Sequence, residues 1–573
     1  MKLKKFLPFA VTLVAMLIGF LSIAPSTMSF DEDDYSAKVA LEHLQVIADE
    51  PHSVYHYDAH ERVRQYLLET VKGYVGEDNV TERNYLTKSS KNPTTDANGN
   101  AVQYVYDGDQ LVSKYQIDAE FDVRNILVTI PGESETGMLL VAHYDSRGNI
   151  KRYGELAKSY GAGDDGYGVI TLLETMRYVI THDLPMKNSL YFLFADAEEP
   201  AAGDKIMVGS YLESQNEELM NKINFVINVE SRGMKGAVYM FETSKNNSRV
   251  MSLYRKAVDP VSYSIAPAVY SIMTNYTDFT NFLDVGKQGV NFSTLNDIEV
   301  YHVPSDKYEN ANAATIEHYG RQIVPMVEEY VTNAQYGDTN YFEGSNDLVF
   351  FNLLPGVFVS YSSVVAIVFS FLFLIAFVAI LVVAIVVKKQ EFSWKKLLIA
   401  LGVVVAGIVI SVVVGYLVSL VVARLAGYPW SLTNVRNKYS LMIMLGTFLA
   451  LFAGFYFAVK NLFKRDDLKY LLISATALQV LLYVVTSFAL SGATFVFMLP
   501  ALFGIIYFAI KTFVKKDIFG KIATYVTLFA LLLVFSPLIV SLEYALTIGG
   551  LLALALLSYL PVSVLLPMLQ ENE

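Results

Sequence analysis

Five short polar motifs hold most of the chemistry this sequence can offer. They are His143-Tyr144-Asp145-Ser146, the glycine-rich run 161–168 around Asp164-Asp165, Asp196-Ala197-Glu198-Glu199, Glu230-Ser231-Arg232 and Tyr301-His302-Val303-Pro304-Ser305-Asp306. Imidazoles and carboxylates without thiolate suit a hard or borderline divalent metal such as Zn, Mn or Co. An anion cluster this dense would repel itself without a cation. The chain has no cysteine, which excludes disulfide scaffolds, thiolate zinc sites, thiol nucleophiles and iron–sulfur clusters together. Taken singly, an acidic pair after a strand is usually a solvated loop, and a lone histidine is usually a satisfied core or surface residue. Five such motifs in order, each at the end of an expected strand, argue against that bland reading.

The elements that must position these motifs are legible as apolar runs. Residues 125–130, 138–143, 189–195, 224–229 and 290–295 are near-continuous apolar stretches of strand length, the pattern of strands buried on both faces. Residues 59–71 and 168–180 have helical spacing instead. Strand–helix–strand order predicts an α/β fold, a mostly parallel mixed sheet sandwiched by helices. Ligand chemistry in such sheets gathers at the carboxyl ends of strands, where the five motifs fall. Residues 86–118, rich in Ser, Asn, Thr, Asp and Gly, read as a long surface excursion, and 147–161 as a second loop bordering the site.

Of the 573 residues, 53% are hydrophobic and 17% charged, below the usual quarter for a soluble protein. Mean hydropathy is +0.36. The charge is split: residues 31–350 hold 26 of the 44 basic and 49 of the 56 acidic residues. The remainder is basic and apolar. An acidic outer block argues against nucleic acid, which needs a basic stripe. Spans long enough to cross a bilayer are expected at about 357–387, 397–423, 439–459, 470–490, 492–510, 522–542 and 545–568. Residues 1–30 read as a signal-anchor, left uncleaved because Pro25 follows the nearest small-residue site, Ser22-Ile23-Ala24. Lysines and arginines crowd alternate loops, around 388–396, 460–469 and 511–521. The positive-inside rule then puts both termini in the cytoplasm and residues 31–350 outside. The expected organisation is an anchor (1–30), an extracytoplasmic α/β domain (31–350) and an all-α membrane domain of about seven helices (351–573). Near-absence of ionisable residues within the spans disfavours transport. Absence of Cys in an exterior domain leans toward a bacterial cell membrane.

At these motifs the sequence resembles peptidase family M28, the zinc aminopeptidases, in its membrane-bound branch. The resemblance runs from about Glu50 to Gly320 and includes Pro51-His52-Ser53, residues 143–146, 161–168, 194–200, 228–231, 277–282 and 301–310. It implies a two-zinc site, with His143 and Glu230 on one ion, Glu199 and His302 on the other, and Asp164 bridging. It implies Glu198 as general base and Asp145 as the partner that orients His143. The implied activity is removal of N-terminal residues from peptides outside the membrane; the implied partners are peptide substrates and the lipid bilayer. Glu230 stands where soluble members commonly have Asp, and Phe279 follows Asp278 where a His is often found. No residue is identified for gripping the substrate amine. Asp165 reads as a turn or helix-cap residue, Arg232 as a salt-bridge former, and His52, His56 and His60 as structural. Two alternatives stand beside the peptidase: an inactive peptidase-like receptor or scaffold, and a single-zinc enzyme resembling glutaminyl cyclases.

Overall fold

A computed structural model describes residues 3–572 apart from 26–33, 55, 87, 90–93, 96–100, 108–109, 116–121, 149, 153–154, 158, 200–206, 271–272, 274–275, 428 and 515. Two compact units emerge. One comprises residues 24–262 and 269–346; the other comprises 1–23, 263–268 and 347–573.

The first unit is built on a seven-stranded sheet of β1 (Val80–Leu86), β2 (Asp122–Ile130), β3 (Ser134–His143), β4 (Asn188–Ala195), β5 (Ile223–Ser231), β6 (Lys235–Thr243) and β7 (Gly289–Asn296). Their spatial order is β1-β2-β4-β3-β5-β7-β6. The middle four, β4, β3, β5 and β7, run parallel; β1, β2 and β6 add antiparallel. Every residue of β4 and β5 is buried, as their unbroken apolar runs require. Leu127, Leu139, Val141, Leu193 and Val226 pack on Phe279 and Phe282 at one face. Leu140, Phe192 and Ile227 alternate to the other face and are equally buried. The sheet is therefore covered on both sides.

Helices α1 (Tyr57–Val75), α2 (Gly166–Thr181) and α4 (Ala313–Thr332) pack on its strands, and the short α3 (Asp278–Asp284) precedes β7 in sequence. Asp165 caps α2 by accepting from Gly168 N, 3.1 Å away. A Cβ on Gly168 would lie 2.2 Å from the Asp165 carboxylate, so the cap closes only over glycine. Helix α4 is capped by Asn312 and buries Ile316, Tyr319, Ile323, Met326 and Tyr330 at helical spacing. The excursion at 86–118 carries a small sheet of its own, centred on Ala101–Asp107 paired with Gln110–Tyr115; the rest of it lies partly outside the described residues. The loop 147–161 holds a pair, Ile150–Arg152 with Glu155–Ala157, and is likewise described only in part.

Among the described residues, the second unit holds seven helices long and apolar enough to cross a membrane, at 363–387, 394–425, 440–462, 465–489, 491–513, 517–546 and 548–571. The chain is membrane-integral. The first begins at Ser363 rather than near 357, because Val357–Ser362 pairs with Leu348–Leu354 in a hairpin whose turn uses Gly356 at φ 68°. Small residues let the helices approach closely: a Cβ on Gly407 would meet the Tyr559 ring, and one on Gly415 the Leu551 carbonyl. Tyr559 Oη donates to Val404 O (3.1 Å) and Gln479 Nε2 to Leu560 O (3.0 Å). Another apolar helix spans Leu3–Leu21.

A buried histidine in α4 gives a pH-dependent test of this fold. His318 Nδ1 accepts from Val238 N (3.0 Å), so Nε2 carries the proton given to Asp259 O (2.9 Å). Burial lowers its pKa from 6.5 to about 4. Between those values the unfolded chain takes up a proton that the folded chain refuses, so stability falls as pH drops. The displacement is worth at most about 3 kcal/mol. His318→Gln lacks this linkage. The stability gap between wild type and variant, measured by denaturant unfolding at pH 7.5 and 5, is expected to shrink at the lower pH; an unchanged gap contradicts the buried neutral imidazole.

Candidate metal centre

The parallel strands deliver their ends to one place. In register, Ala195 of β4 lies beside His143 of β3, so the chain leaving β4 carries Glu198 and Glu199 past that imidazole. Glu230 ends β5 opposite Ser293 of β7. After β7 a single 3-10 turn (Ile298–Val300) leads to His302. Ala197 (φ 58°) and His302 (φ 61°) both take left-handed backbone conformations, which non-glycine residues adopt at a cost of about 1–2 kcal/mol and which cluster at functional sites.

All five side chains expected as metal ligands come together. His143 Nε2 lies 3.3 Å from Asp164 Oδ1 and 4.0 Å from Glu230 Oε2. His302 Nε2 lies 2.9 Å from Asp164 Oδ2 and 2.8 Å from Glu199 Oε1. Two groups result, His143–Asp164–Glu230 and Asp164–Glu199–His302, each with its donor atoms within 4.8 Å of one another. Asp164 belongs to both. His143 Nε2 and Glu230 Oε1 are buried without a well-formed hydrogen bond, and leaving such atoms unpaired is costly. Nitrogen and oxygen donors turned inward on one another fit a divalent cation, and the absence of sulfur fits zinc, manganese or cobalt.

The electrostatics agree. Burial alone would lower the His143 pKa, but Glu198, Asp145 and Asp164 hold it well above the usual histidine range. Burial, reinforced by Glu199, Glu230 and Asp278, pushes Glu198 well up against the opposing pull of His143. Burial and the Asp165 and Asp164 charges raise Glu230 in the same way. Anions are crowded here beyond what two imidazoles neutralise.

Around the donors the chain supplies a rigid frame. The Asp145 carboxylate accepts from Glu198 N (3.0 Å) and Glu199 N (3.1 Å), while His143 Nδ1 lies 3.0 Å from the Asp145 carbonyl and 3.4 Å from its Oδ1. Asp145 thus orients the imidazole mainly through its backbone and spends its carboxylate on the next strand's loop. Glu198 Oε2 sits 4.0 Å from His143 Nε2, and the Glu198 side chain keeps 11% of its surface open. Asp165 is turned away to cap α2 and to accept from His143 N (3.3 Å). Asp306 accepts from Gly163 N (2.6 Å), Asp164 N (3.4 Å) and Ser159 Oγ (2.8 Å), fixing the loop that presents Asp164. Tyr319 Oη donates to Glu230 O (2.6 Å) and accepts from Thr294 N (2.9 Å). The roles of Arg147, Tyr319 and Asp306 were not readable from the sequence. Arg147 follows the His143 motif directly, yet nothing in the spacing says that its guanidinium reaches Glu199.

The remaining candidates find structural settings. His52 N donates to Ser146 Oγ (2.9 Å), His56 precedes α1 with its Nδ1 2.7 Å from Ser53 Oγ, and His60 stacks on Tyr144 with Nε2 2.9 Å from Asp196 Oδ1. Arg232 lies 5.8 Å over the Tyr301 ring, which stacks on His302. Asp278 accepts from Ser210 Oγ (2.5 Å), and Phe279 is buried in the apolar cluster against the sheet.

Zinc added to chelator-stripped protein is expected to raise its unfolding temperature. Binding to the folded state alone at a hundred times the Kd stabilises by about 2.7 kcal/mol. The shift should vanish in the double variant His143→Ala/His302→Ala. Equal unfolding temperatures with and without zinc would contradict a metal centre.

Residues 125–327 match the model for peptidase family M28. Among curated proteins, "Putative endoplasmic reticulum metallopeptidase 1" of Schizosaccharomyces pombe is 27% identical over 365 residues, 62% of this chain and 40% of that protein. A vacuolar membrane protease of Candida dubliniensis is 23% identical over 55% of this chain and 30% of its own length. The aligned region thus spans less than half the length of these relatives. Among solved structures, a zinc aminopeptidase from Bacillus subtilis (13% identity, 53% of this chain, 97% of that one, TM-score 0.38) and a Porphyromonas gingivalis glutaminyl cyclase (18%, 52%, 100%, TM-score 0.36) are similar at values too low to carry an argument. The sheet, the motif order and the family match agree that residues 125–327 are similar to peptidase family M28, in a protein that also carries, among the described residues, seven helices of membrane-spanning length.

Proposed function

We propose that the chain is a membrane-anchored, two-zinc aminopeptidase. The observation that carries this reading is the pair of three-residue groups sharing Asp164, with Glu198 beside them and partly open. His143 and Glu230 would hold one ion, Glu199 and His302 the other, and Asp164 both. Zinc bound there supplies Lewis acidity, acidifying water and polarising the scissile carbonyl.

The protein's own residues do the rest. Glu198 takes the proton of the attacking water on its carboxylate and returns it to the nitrogen of the leaving amine. Asp145 holds the Glu198 and Glu199 amides, so the base and its neighbouring ligand keep a fixed separation. Asp306 does the same for the loop bearing Asp164. The substrates are peptides with free amino termini. Charge in the inter-helix loops supports an orientation with the peptidase unit outside a cell membrane, a bacterial one on the cysteine argument, and both termini inside.

The test is hydrolysis of aminoacyl-arylamides, with free or acetylated amino groups, by detergent-purified full-length protein. Zinc-dependent release from the free substrates only is expected, with two zinc ions per chain by elemental analysis. Glu198→Gln should lower kcat by roughly 10²–10⁴-fold while metal content stays at two. Release from acetylated substrates would overturn the exopeptidase assignment. One zinc per chain with cyclisation of N-terminal glutamine would replace it with a cyclase. Neither metal nor turnover would leave a scaffold.

A further inference from the structure

Arg147 is the first residue beyond the His143 motif, and it is buried. Its Nη1 donates to the Glu199 carbonyl oxygen (2.7 Å) and to Glu199 Oε2. Glu199 Oε1 is left facing His302. The other half of the centre is built differently. Glu230 is faced by His143 and Asp164.

We propose that Arg147 makes the two ion positions unequal, so that the His143–Asp164–Glu230 position fills first and tightly, and the Asp164–Glu199–His302 position fills second and weakly. This inference rests on the two-ion reading above. Arg147 is a positioning residue in it: it touches Glu199, not substrate.

The argument is one of charge. A guanidinium stays protonated at any working pH, so the second ion must bind beside a fixed positive charge in a site sheltered from water, where Coulomb interactions are strong. Arg147 also occupies Oε2, which leaves Glu199 one oxygen for a metal. Before any ion arrives, Arg147 and His302 already face the two oxygens of the Glu199 carboxylate. That half of the centre is already compensated when empty. Glu230 meets His143 and Asp164 instead of a guanidinium, so its half gains most from the first cation. Arg147 contributes order as well, by fixing the Glu199 rotamer. Holding one short carboxylate is a smaller effect than repulsion between a guanidinium and a divalent ion at contact range. Removing the charge should therefore tighten the second position.

The experiment is calorimetric titration of zinc, under a competing chelator, into chelator-stripped full-length protein in detergent. The wild type is expected to show two steps separated by about tenfold or more in Kd. Arg147→Met should tighten the weak step by about tenfold or more and leave the tight step in place. Arg147→Lys, which retains the charge, should keep the second step weak. His302→Ala should abolish the weak step alone. Should Arg147→Met fail to fold, Arg147→Gln removes the same charge while keeping a donor for the Glu199 carbonyl. Two steps of equal affinity in the wild type, or a second step that Arg147→Met leaves unchanged or weakens, would overturn the role of Arg147 with the two-ion reading intact. A wild type that binds one ion or none would instead overturn that reading itself.

Discussion

Asp164, Glu199 and Glu230 meet His143 and His302 at a buried edge of the sheet, with Glu198 alongside. Buried anions in such number are tolerated only when paired or when they bind a cation. Much of the surrounding construction can be understood as serving that requirement. Asp145 and Asp306 use their carboxylates to accept backbone amides of the loops bearing the donors. Asp165 is drawn off to the start of α2. Backbone amides thus absorb the acids that do not face the centre, and the acids that do face it form the groups that could hold a metal.

The parallel core of the sheet explains why these residues converge. Strands β3, β4, β5 and β7 point the same way, so each loop leaving them begins at the same edge. This much was legible in the sequence. Near-continuous apolar runs such as 189–195 and 224–229 have the pattern of strands covered on both faces, and an acid follows each of these two. The helix after Gly166 was legible too, through its spacing and its acidic cap. The antiparallel strands β1 and β6 were not singled out, because short, mixed segments at a sheet edge carry no distinctive pattern. The first membrane helix was placed six residues early for a related reason. Val357–Ser362 is as apolar as the helix it precedes, and only its pairing with Leu348–Leu354 separates the two.

Within the centre, residue types were readable and pairings were not. A carboxylate two residues after a ligand histidine suggests an imidazole partner, yet the Asp145 carboxylate serves the Glu198–Glu199 amides and its carbonyl serves the ring. Arg147 sits in a polar loop where a solvated arginine would look the same in sequence. Its partner Glu199 lies 52 residues away. Tyr319 is one of 38 tyrosines, and nothing but the packing of α4 against β5 and β7 sets it between Glu230 O and Thr294 N. Contacts made across the sheet edge depend on register, and register is a property of the assembled fold.

The most direct measurement of the central claim is X-ray absorption at the zinc edge on fully loaded, full-length protein. The account predicts a first shell of nitrogen and oxygen alone, at about 2.0–2.2 Å, with metal–metal scattering at about 3.5–4 Å from two ions that share Asp164. A first shell of the same composition without any metal–metal component at full loading would contradict the shared centre.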